Sequence, residues 1–422
     1  MSKRTLGSWD AIAISIGVVI GVGIFKVPSE VAQHLSAPQL ILLAWLAGGV
    51  FSFLGSLCYA ELSTALPESG GDYIYIREAF GKLVAFTYSW TELTIIRTGS
   101  IAAMALLFAE HGCSFADLDR LYMKAIAVAV TAAIAVVNCF GLKLSSVFQN
   151  YTTWTKVLAL LMLVALGVMS GKGDASRLTG GAVAVDGSVM SAFGVAMIPI
   201  LWTYGGWREN VFLAGETKET HKSLPFALFA TCGLVTAIYM ALNVLFLYLL
   251  PPSQIAASEL IAADVLRLLY GAPGAKIFEA FVMIYALGAL NAMILTGSRI
   301  AQAMASDSSF FKSLAAVHER TDAPVRAVFV NALWSCVLIF SGSFDQLLFF
   351  TGIAVWLFFA LVAAAVPILR KRNPQLHRSF LVPLNPWLPL LLVLISLALA
   401  LVTLLSYTKE SLFGLGLVGL GI

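Results

Sequence analysis

The chain is dominated by apolar runs of about 20 residues, the length that a helix needs to cross the hydrocarbon core of a bilayer. Lipid offers no partners to backbone polar groups, so such runs fold as helices that satisfy their own hydrogen bonds. Only 12% of the 422 residues are charged, against about 25% in a typical soluble domain. The sequence therefore predicts an all-α integral membrane protein that crosses the bilayer many times.

The apolar runs fall into two sets of five with an accessory end, which predicts about 11–12 transmembrane helices. In order, they lie at roughly 9–36, 38–66, 83–109, 122–142, 144–170, 190–215, 224–250, 275–305, 325–343, 346–369, 384–406 and, as a short last run, 411–422. Residues 1–170 hold the first set and residues 190–370 the second. Residues 380–422 hold run 11 and a partial run 12.

Two of these runs carry glycines at which a membrane helix is expected to open. Run 1 contains Gly17 and the G-V-G of residues 21–23, and run 6 contains Gly205 and Gly206. Glycine in a helix interior costs roughly 0.5–1 kcal/mol against alanine. The G-x-x-x-G spacing in run 1 is also typical of helix packing. Interrupted helices at corresponding places of two halves, however, indicate a transporter site built from inverted repeats.

Three charged residues at membrane depth are functional candidates, because an ionisable group is costly in lipid. Glu92 and Arg97 are five positions apart in run 3, so on an α-helix they face different directions and each is expected to find another partner. Lys156 lies more than two turns inside run 5. It is expected to have a function there, the alternative being that its long stem carries the amine to the inner interface.

Loop charges and missing motifs limit what the chain can do. The loops of the N-terminal side carry about twice as many Lys and Arg residues as the opposite loops, which places the N-terminus in the cytoplasm. The net charge of +3 is too small to indicate a nucleic-acid partner. No metal-ligand spacing, hydrolase motif or phosphate loop is present, so no metal, cofactor or enzyme activity is predicted. Cys113 is expected in a loop as an exposed thiol.

Four motifs stand in order along nearly the whole chain: I-G-V-V-I-G-V-G-I-F (16–25), E-L-S-T-A-L-P-E-S-G-G-D-Y-I-Y-I (61–76), W-T-E-L-T-I-I-R (90–97) and Y-G-G-W…A-G-E-T-K (204–218). Together they resemble the amino acid–polyamine–organocation superfamily, and most closely its L-type amino-acid transporter branch. The resemblance implies a LeuT-like fold, a 5+5 inverted repeat with discontinuous helices 1 and 6. It also implies a sodium-independent permease or exchanger in the cell inner membrane that moves free L-amino acids, small neutral or polar ones above all.

The resemblance further implies that the substrate binds between the two interrupted helices. Backbone N–H groups of Val22, Gly23 and Ile24 would take its carboxylate, and carbonyls around Ile20 and residues 202–204 would take its ammonium. Trp202 stands at the place of the family's aromatic gate, with a packing aromatic as the alternative. The substrate-binding candidates are Ile20, Gly21, Val22, Gly23, Ile24, Trp202, Thr203, Tyr204, Gly205, Arg208 and Asn291.

Lys156 matches, by the same resemblance, a lysine of sodium-independent members. There an ammonium stands where sodium-coupled relatives of the fold hold an ion. It would neutralise carbonyl ends exposed near Gly17, and if burial lowers its pKa it would also be able to carry a proton. Obligate exchange and proton coupling therefore both remain open.

Two residues depart from the family pattern. Val22 replaces the serine or alanine of G-S-G or G-A-G, and Arg208 replaces an asparagine or another uncharged residue. If Arg208 points into the pocket, it would bind an acidic side chain. If it pairs with Glu209 or Glu92, the pocket suits small neutral amino acids. A proton-coupled permease for cationic amino acids or polyamines would need one of those carboxylates unpaired, and Arg208 opposes that cargo.

The resemblance also bears on partners. Eukaryotic L-type members pair with a single-pass glycoprotein through a cysteine in the outer loop after span 3, where Cys113 falls. Such a heavy-chain partner is not expected here. The expected partners are the free amino acid and the lipid bilayer.

Overall fold

The structure is a computed structural model of the chain, and it describes residues 4–21, 23–179, 187–307, 311–341, 344–406 and 408–419. This part of the chain consists of helices joined by turns, with one isolated backbone bridge between Leu6 and Thr217. The all-α prediction is confirmed. The α-helices are α1 (Ser8–Val19), α2 (Gly23–His34), α3 (Pro38–Ala65), α4 (Asp72–Phe80), α5 (Lys82–Thr91), α6 (Arg97–Phe115), α7 (Met123–Cys139), α8 (Leu142–Met169), α9 (Gly187–Thr203), α10 (Thr220–Leu249), α11 (Pro252–Ala257), α12 (Ile261–Tyr270), α13 (Ala272–Asp307), α14 (Val325–Ser341), α15 (Phe344–Arg372), α16 (Trp387–Ser406) and α17 (Thr408–Gly419).

The helices lie at the predicted runs. Within the described residues, 8 helical stretches are long and apolar enough to cross a bilayer, and α1 with α2 makes up to 9 if the bent pair is one span. The shorter apolar helices α9 and α14 occupy runs 6 and 9. Helix α17, of 12 residues, lies at run 12. The symmetry between the two sets of five stays a prediction.

The segment between α3 and α5 turns back into the protein. The semi-apolar stretch at residues 73–80 predicts a short helix near the inner interface. Helix α4 covers this stretch, and its position at the interface stays a prediction. It packs against α5 and α15. Its first residue, Asp72, is fully buried. This placement carries a carboxylate from a connecting segment into the protein interior.

The C-terminal end of α6 corrects one prediction. Cys113 lies inside this helix and is 2% exposed, so it is neither in a loop nor an exposed thiol. The polar stretch E-H-G-C-S has the composition of a loop. The ring of His111 and the hydroxyl of Ser114 both bond Glu279 of α13, however, and these contacts hold the last turns of α6 against the protein.

Aromatic side chains fix the end of α9 in the core. The ring of Tyr204, directly after α9, lies 6.0 Å from that of Trp45 in α3 and 5.1 Å from that of Tyr239 in α10. The hydroxyl of Tyr204 donates to the carbonyl of Trp45 at 3.0 Å. A buried tyrosine contributes apolar contact area through its ring, and the hydrogen bond of its hydroxyl fixes the orientation of the side chain. The chain after α9 is therefore anchored on α3 and α10.

Candidate functional site

The first predicted interruption lies between α1 and α2. Helix α1 ends at Val19, helix α2 begins at Gly23, and the two helices are bent by 47°. A side chain at Gly23 would lie 2.8 Å from Oγ1 of Thr203 and 3.1 Å from Cζ3 of Trp202. The start of α2 therefore touches the end of α9, and only glycine leaves room for this approach. Val22 lies outside the described residues.

The second interruption follows α9. This helix ends at Thr203, and turns lead to a 3-10 segment that begins at Glu209. Gly206 adopts a φ of +102°, a conformation that glycine reaches without strain. A Cβ there would lie 2.7 Å from Cγ1 of Val18 in α1. The glycine pair thus both bends the chain and brings it against α1.

One tyrosine, which the sequence analysis did not single out, joins the two interruptions. The hydroxyl of Tyr239 donates to the carbonyl of Val19 at 2.7 Å and to that of Thr203 at 3.3 Å. These carbonyls belong to the last residues of α1 and α9, and that of Val19 also accepts from the N–H of Gly21 at 2.9 Å. A hydroxyl inside the otherwise apolar helix α10 was the available signal, since a buried Tyr O–H needs a partner.

A cavity of about 190 Å³ opens between the two interruptions. A single water needs only about 10–15 Å³ by the same measure, so this space holds much more than one trapped water. Helices α3, α6, α13 and α15 complete its wall. The lining residues are Val18, Val19, Gly21, Gly23, Phe51, Ser52, Glu92, Ile96, Arg97, Ser100, Met104, Leu201, Trp202, Thr203, Gly205, Gly206, Trp207, Arg208, Glu209, Met293, Gly352, Val355, Trp356 and Phe359.

The cavity brings together six of the predicted substrate-binding residues. They are Gly21, Gly23, Trp202, Thr203, Gly205 and Arg208. Ile20, Ile24 and Tyr204 are buried beside it and do not line it. The implied roles of these three concern their backbone groups, and the Tyr204 side chain is directed to α3 by its bond to Trp45.

Lys156 lies outside the cavity, behind α1. Its amine donates to the carbonyl of Gly17 at 2.8 Å and lies 5.6 Å from the ring of Tyr285. The side chain is 1% exposed, so the alternative in which the amine reaches the inner interface is wrong. A Cβ on Gly288 of α13 would lie 2.8 Å from this amine. The ammonium therefore sits between α1, α8 and α13.

Asn291 does not line the cavity, which corrects its placement as a pocket candidate. Its amide donates to Oε1 of Gln149 at 2.8 Å and to the carbonyl of Ser145 at 3.1 Å, and its oxygen accepts from Asn138. These residues connect α7, α8 and α13. The network holds Gln149 in the space that a side chain at position 17 would occupy.

Another correction concerns Glu92 and Arg97, which do pair with each other. Nε of Arg97 lies 3.3 Å from Oε2 of Glu92. Residues Glu92–Ile96 form a π-helical turn, and the N–H of Arg97 donates to the carbonyl of Glu92. A π turn closes hydrogen bonds from i to i+5, so it places on one face two residues that an α-helix would separate. Arg97 also donates to Glu209 at 2.9 Å.

A further correction concerns the partner of Arg208. Its guanidinium lines the cavity but bonds neither Glu209 nor Glu92; it lies 2.8 Å from Oδ2 of Asp72 and donates to the hydroxyl of Tyr59 at 2.8 Å. The partner was missed because α4 is buried more deeply than its composition indicates. Burial raises the pKa of the Asp72 carboxyl to about 6, and Arg208 opposes this shift.

The chain is similar over nearly its full length to several known proteins. Residues 6–420 match the sequence model of the family described as amino acid permease. Human b(0,+)-type amino acid transporter 1 is 29% identical over 412 residues, 96% of this chain and 83% of the relative. Serine/threonine exchanger SteT of Bacillus subtilis (strain 168) is 29% identical over 395 residues, 93% of this chain and 89% of the relative. Human cystine/glutamate transporter is 30% identical over 387 residues, 90% of this chain and 77% of the relative.

Proposed function

We propose that this chain, which belongs to the amino acid permease family, exchanges free L-amino acids across the membrane by alternating access and without sodium. The family and the transporters that it resembles make it a transporter and not an enzyme. The observation that carries the proposal is one cavity bordered by both helix interruptions. Opened backbone there offers N–H groups without an intrahelical acceptor, beside C=O groups that can each accept a second hydrogen bond. A zwitterion with a small neutral or polar side chain matches both.

The start of α2 is the proposed carboxylate site. Gly23 begins this helix and borders the cavity. N–H groups in the first turn of a helix have no intrahelical acceptor and carry the positive end of the helix dipole, so they favour an anion. The N–H groups of Val22, Gly23 and Ile24 bind the carboxylate in this proposal. Carbonyls around Ile20 and residues 202–204 bind the ammonium.

Trp202 is the proposed gate over the bound amino acid. Its side chain lines the cavity, is 37% exposed and touches the position of Gly23. Trp202 stands between the two interruptions, where movement of its ring would open or close the path of the substrate to the cavity. The cavity wall beside Trp202 is completed by Gly21, Thr203 and Gly205. These residues have small side chains or none, so they expose their backbone groups to the cavity.

Lys156 supports the absence of sodium from the cycle. Its ammonium already neutralises the carbonyl of Gly17, at a contact between α1 and α8. A fixed cation there provides the positive charge that a bound sodium ion would otherwise provide. If transport is coupled to protons, the same buried amine is the candidate proton carrier. Exchange of one amino acid for another needs no proton transfer.

The proposed setting is the cell inner membrane, with the N-terminus in the cytoplasm and no heavy-chain partner. Basic loop residues support this orientation. The burial of Cys113 removes the one cysteine that stands where the glycoprotein-linked members have theirs. The chain would therefore transport when reconstituted alone.

Reconstitution of the purified chain in liposomes tests the proposal. Uptake of radiolabelled alanine or serine is measured with and without unlabelled amino acid in the lumen, in sodium and in choline buffer. We expect preloading to accelerate uptake equally in both buffers. Uptake that needs sodium, or that ignores the luminal amino acid, would contradict sodium-independent exchange.

A further inference from the structure

The segment between α15 and α16 is strongly basic. Residues 370–386 contain four cations and no Asp or Glu, the cations being Arg370, Lys371, Arg372 and Arg378. Both flanking helices are long and apolar enough to cross a bilayer, so this segment lies where the chain leaves the hydrocarbon and turns back. Clusters of four or more Lys and Arg residues beside a membrane span attract anionic lipids.

The protein neutralises only part of this charge. Arg370 forms two bonds with the carboxylate of Glu61, at 2.7 and 2.6 Å, and Arg378 lies 3.5 Å from the same carboxylate. Arg372 donates to a backbone carbonyl at 2.7 Å. Within the described residues, neither it nor Lys371 has a carboxylate at ion-pair distance. Four cations against one carboxylate leave a net charge of +3 when all are ionised.

The basic segment folds back and meets the start of α10. Arg378 donates to two backbone carbonyls at the end of α15, each at 3.0 Å, which holds the segment close to that helix. The ring of His377 then lies 5.7 Å from the ring of His221 in the first turn of α10. Lys222 follows, and its nearest carboxylate, Glu219, is 3.9 Å away with both side chains well exposed. Such an exposed pair is weak.

An apolar surface lies next to these cations. The ring of Phe380 is 5.3 Å from that of Phe229 in α10, and Phe229 is 5.6 Å from Phe53 of α3. Leu384 and Trp387, at the start of α16, are 75% and 74% exposed. Tryptophan at the end of a membrane span is typical of the level of the lipid headgroups. Basic groups and lipid-facing apolar groups therefore meet at one place.

We propose that the headgroup of an anionic phospholipid from the surrounding bilayer binds here, at a basic rim made of Lys371, His377, His221 and Lys222. Ammonium and imidazole groups can all donate to phosphate oxygens. The apolar surface beside the rim favours an anion that carries acyl chains over a soluble one. In the proposed orientation the rim faces the cytoplasm, where the leaflet is negatively charged. No residue of the rim lines the cavity, so the lipid does not take the place of the amino acid.

Titration of the purified chain in detergent micelles tests this lipid site. Dioleoylphosphatidylglycerol or dioleoylphosphatidylcholine is added, and lipid retention is followed by native mass spectrometry together with the thermal midpoint. We expect the anionic lipid to bind more tightly and to raise the midpoint more, because it bridges α10 and the segment after α15. Each surface cation contributes roughly a fivefold factor to such binding, so Lys222→Gln/Lys371→Gln should weaken it at least about tenfold.

Two control variants separate the rim from charge in general and from misfolding. Lys222→Arg/Lys371→Arg keeps both charges and should retain phosphatidylglycerol as the unmodified chain does. Arg120→Gln/Lys276→Gln removes two exposed cations that lie elsewhere in the chain, and it should leave retention unchanged. The midpoint of every variant in phosphatidylcholine reports whether it is folded.

Equal binding of the two lipids, or full retention of phosphatidylglycerol by Lys222→Gln/Lys371→Gln, would overturn the proposal. An equal loss in Arg120→Gln/Lys276→Gln would overturn it as well, since net charge alone would then explain the binding. Stabilisation by free glycerol 1-phosphate as large as that by phosphatidylglycerol would identify a soluble anion instead of a lipid. Lipid binding is measured without transport, so its failure would leave the proposed exchange untouched.

Discussion

The hydroxyl of Tyr239 offers the sharpest test of how the two interrupted helices are held together. Tyr239→Phe removes this one oxygen and keeps the ring, which packs 5.6 Å from Trp45 and 5.1 Å from Tyr204. The carbonyl of Thr203 then loses its donor, whereas the carbonyl of Val19 keeps the N–H of Gly21 at 2.9 Å. A buried acceptor left without a partner costs about 1–3 kcal/mol. That cost falls on the carbonyl of Thr203, because the carbonyl of Val19 keeps a backbone donor.

A cost of this size corresponds to roughly a 5- to 150-fold change in an equilibrium. We therefore expect the apparent affinity for alanine in Tyr239→Phe to fall within that range, because the cavity depends on both ends being held in place. The thermal midpoint of the detergent-purified protein should fall too. The assay is alanine exchange over a range of concentrations, alongside a melting curve. Tyr151→Phe, a change of the same chemistry at a side chain that is 75% exposed, is the control. Wild-type affinity and melting in Tyr239→Phe would refute the reasoning.

Three further predictions use the same transport assay. Lys156→Met keeps an apolar stem but removes the ammonium from the Gly17 carbonyl, so exchange should fall at least about tenfold with an unchanged size-exclusion profile; full exchange would return the residue to a packing role. Gly17→Ala places a Cβ 1.8 Å from Nε2 of Gln149, so exchange should be lost, and Gln149→Ala in the same chain should recover part of it, whereas activity of the single variant would contradict this packing. The Asp72 carboxyl, whose pKa burial raises to about 6, is ionised above that pH and holds Arg208, and below it becomes protonated and releases the guanidinium. Glutamate should therefore compete better near pH 5 than near pH 7.5, and Asp72→Asn should show competition at both; no difference would contradict the pairing.

Much of the fold follows from local sequence physics. Apolar runs long enough for a bilayer became helices at the predicted places, because a lipid-facing backbone has no other way to satisfy its hydrogen bonds. The interruptions lie at the glycines of residues 21–23 and 205–206, where no Cβ restrains the chain and close helix approach requires its absence. Lys156 could be selected as a buried group with a function, since its position along an apolar run is visible in sequence.

The charge pairs of the cavity were beyond sequence reasoning. The contact between Glu92 and Arg97 depends on a π turn, which has no reliable sequence signal and changes which residues share a face. The contact between Arg208 and Asp72 joins residues far apart in the chain. It depends on how deeply α4 is packed, a property set by its tertiary neighbours α5 and α15 rather than by its composition.

The most direct measurement asks whether both charges of a free amino acid are recognised at the interrupted helices. Liposomes that contain the protein and radiolabelled alanine are diluted into sodium-free buffer with L-alanine, L-alaninamide or propionate, and efflux of label is followed. L-Alaninamide lacks the carboxylate proposed to bind at the start of α2, and propionate lacks the ammonium proposed to bind at the carbonyl ends. We predict that L-alanine alone drives rapid efflux. Equal efflux with either analogue, or none without sodium, would contradict binding of a zwitterion by the opened backbone of α1, α2 and α9.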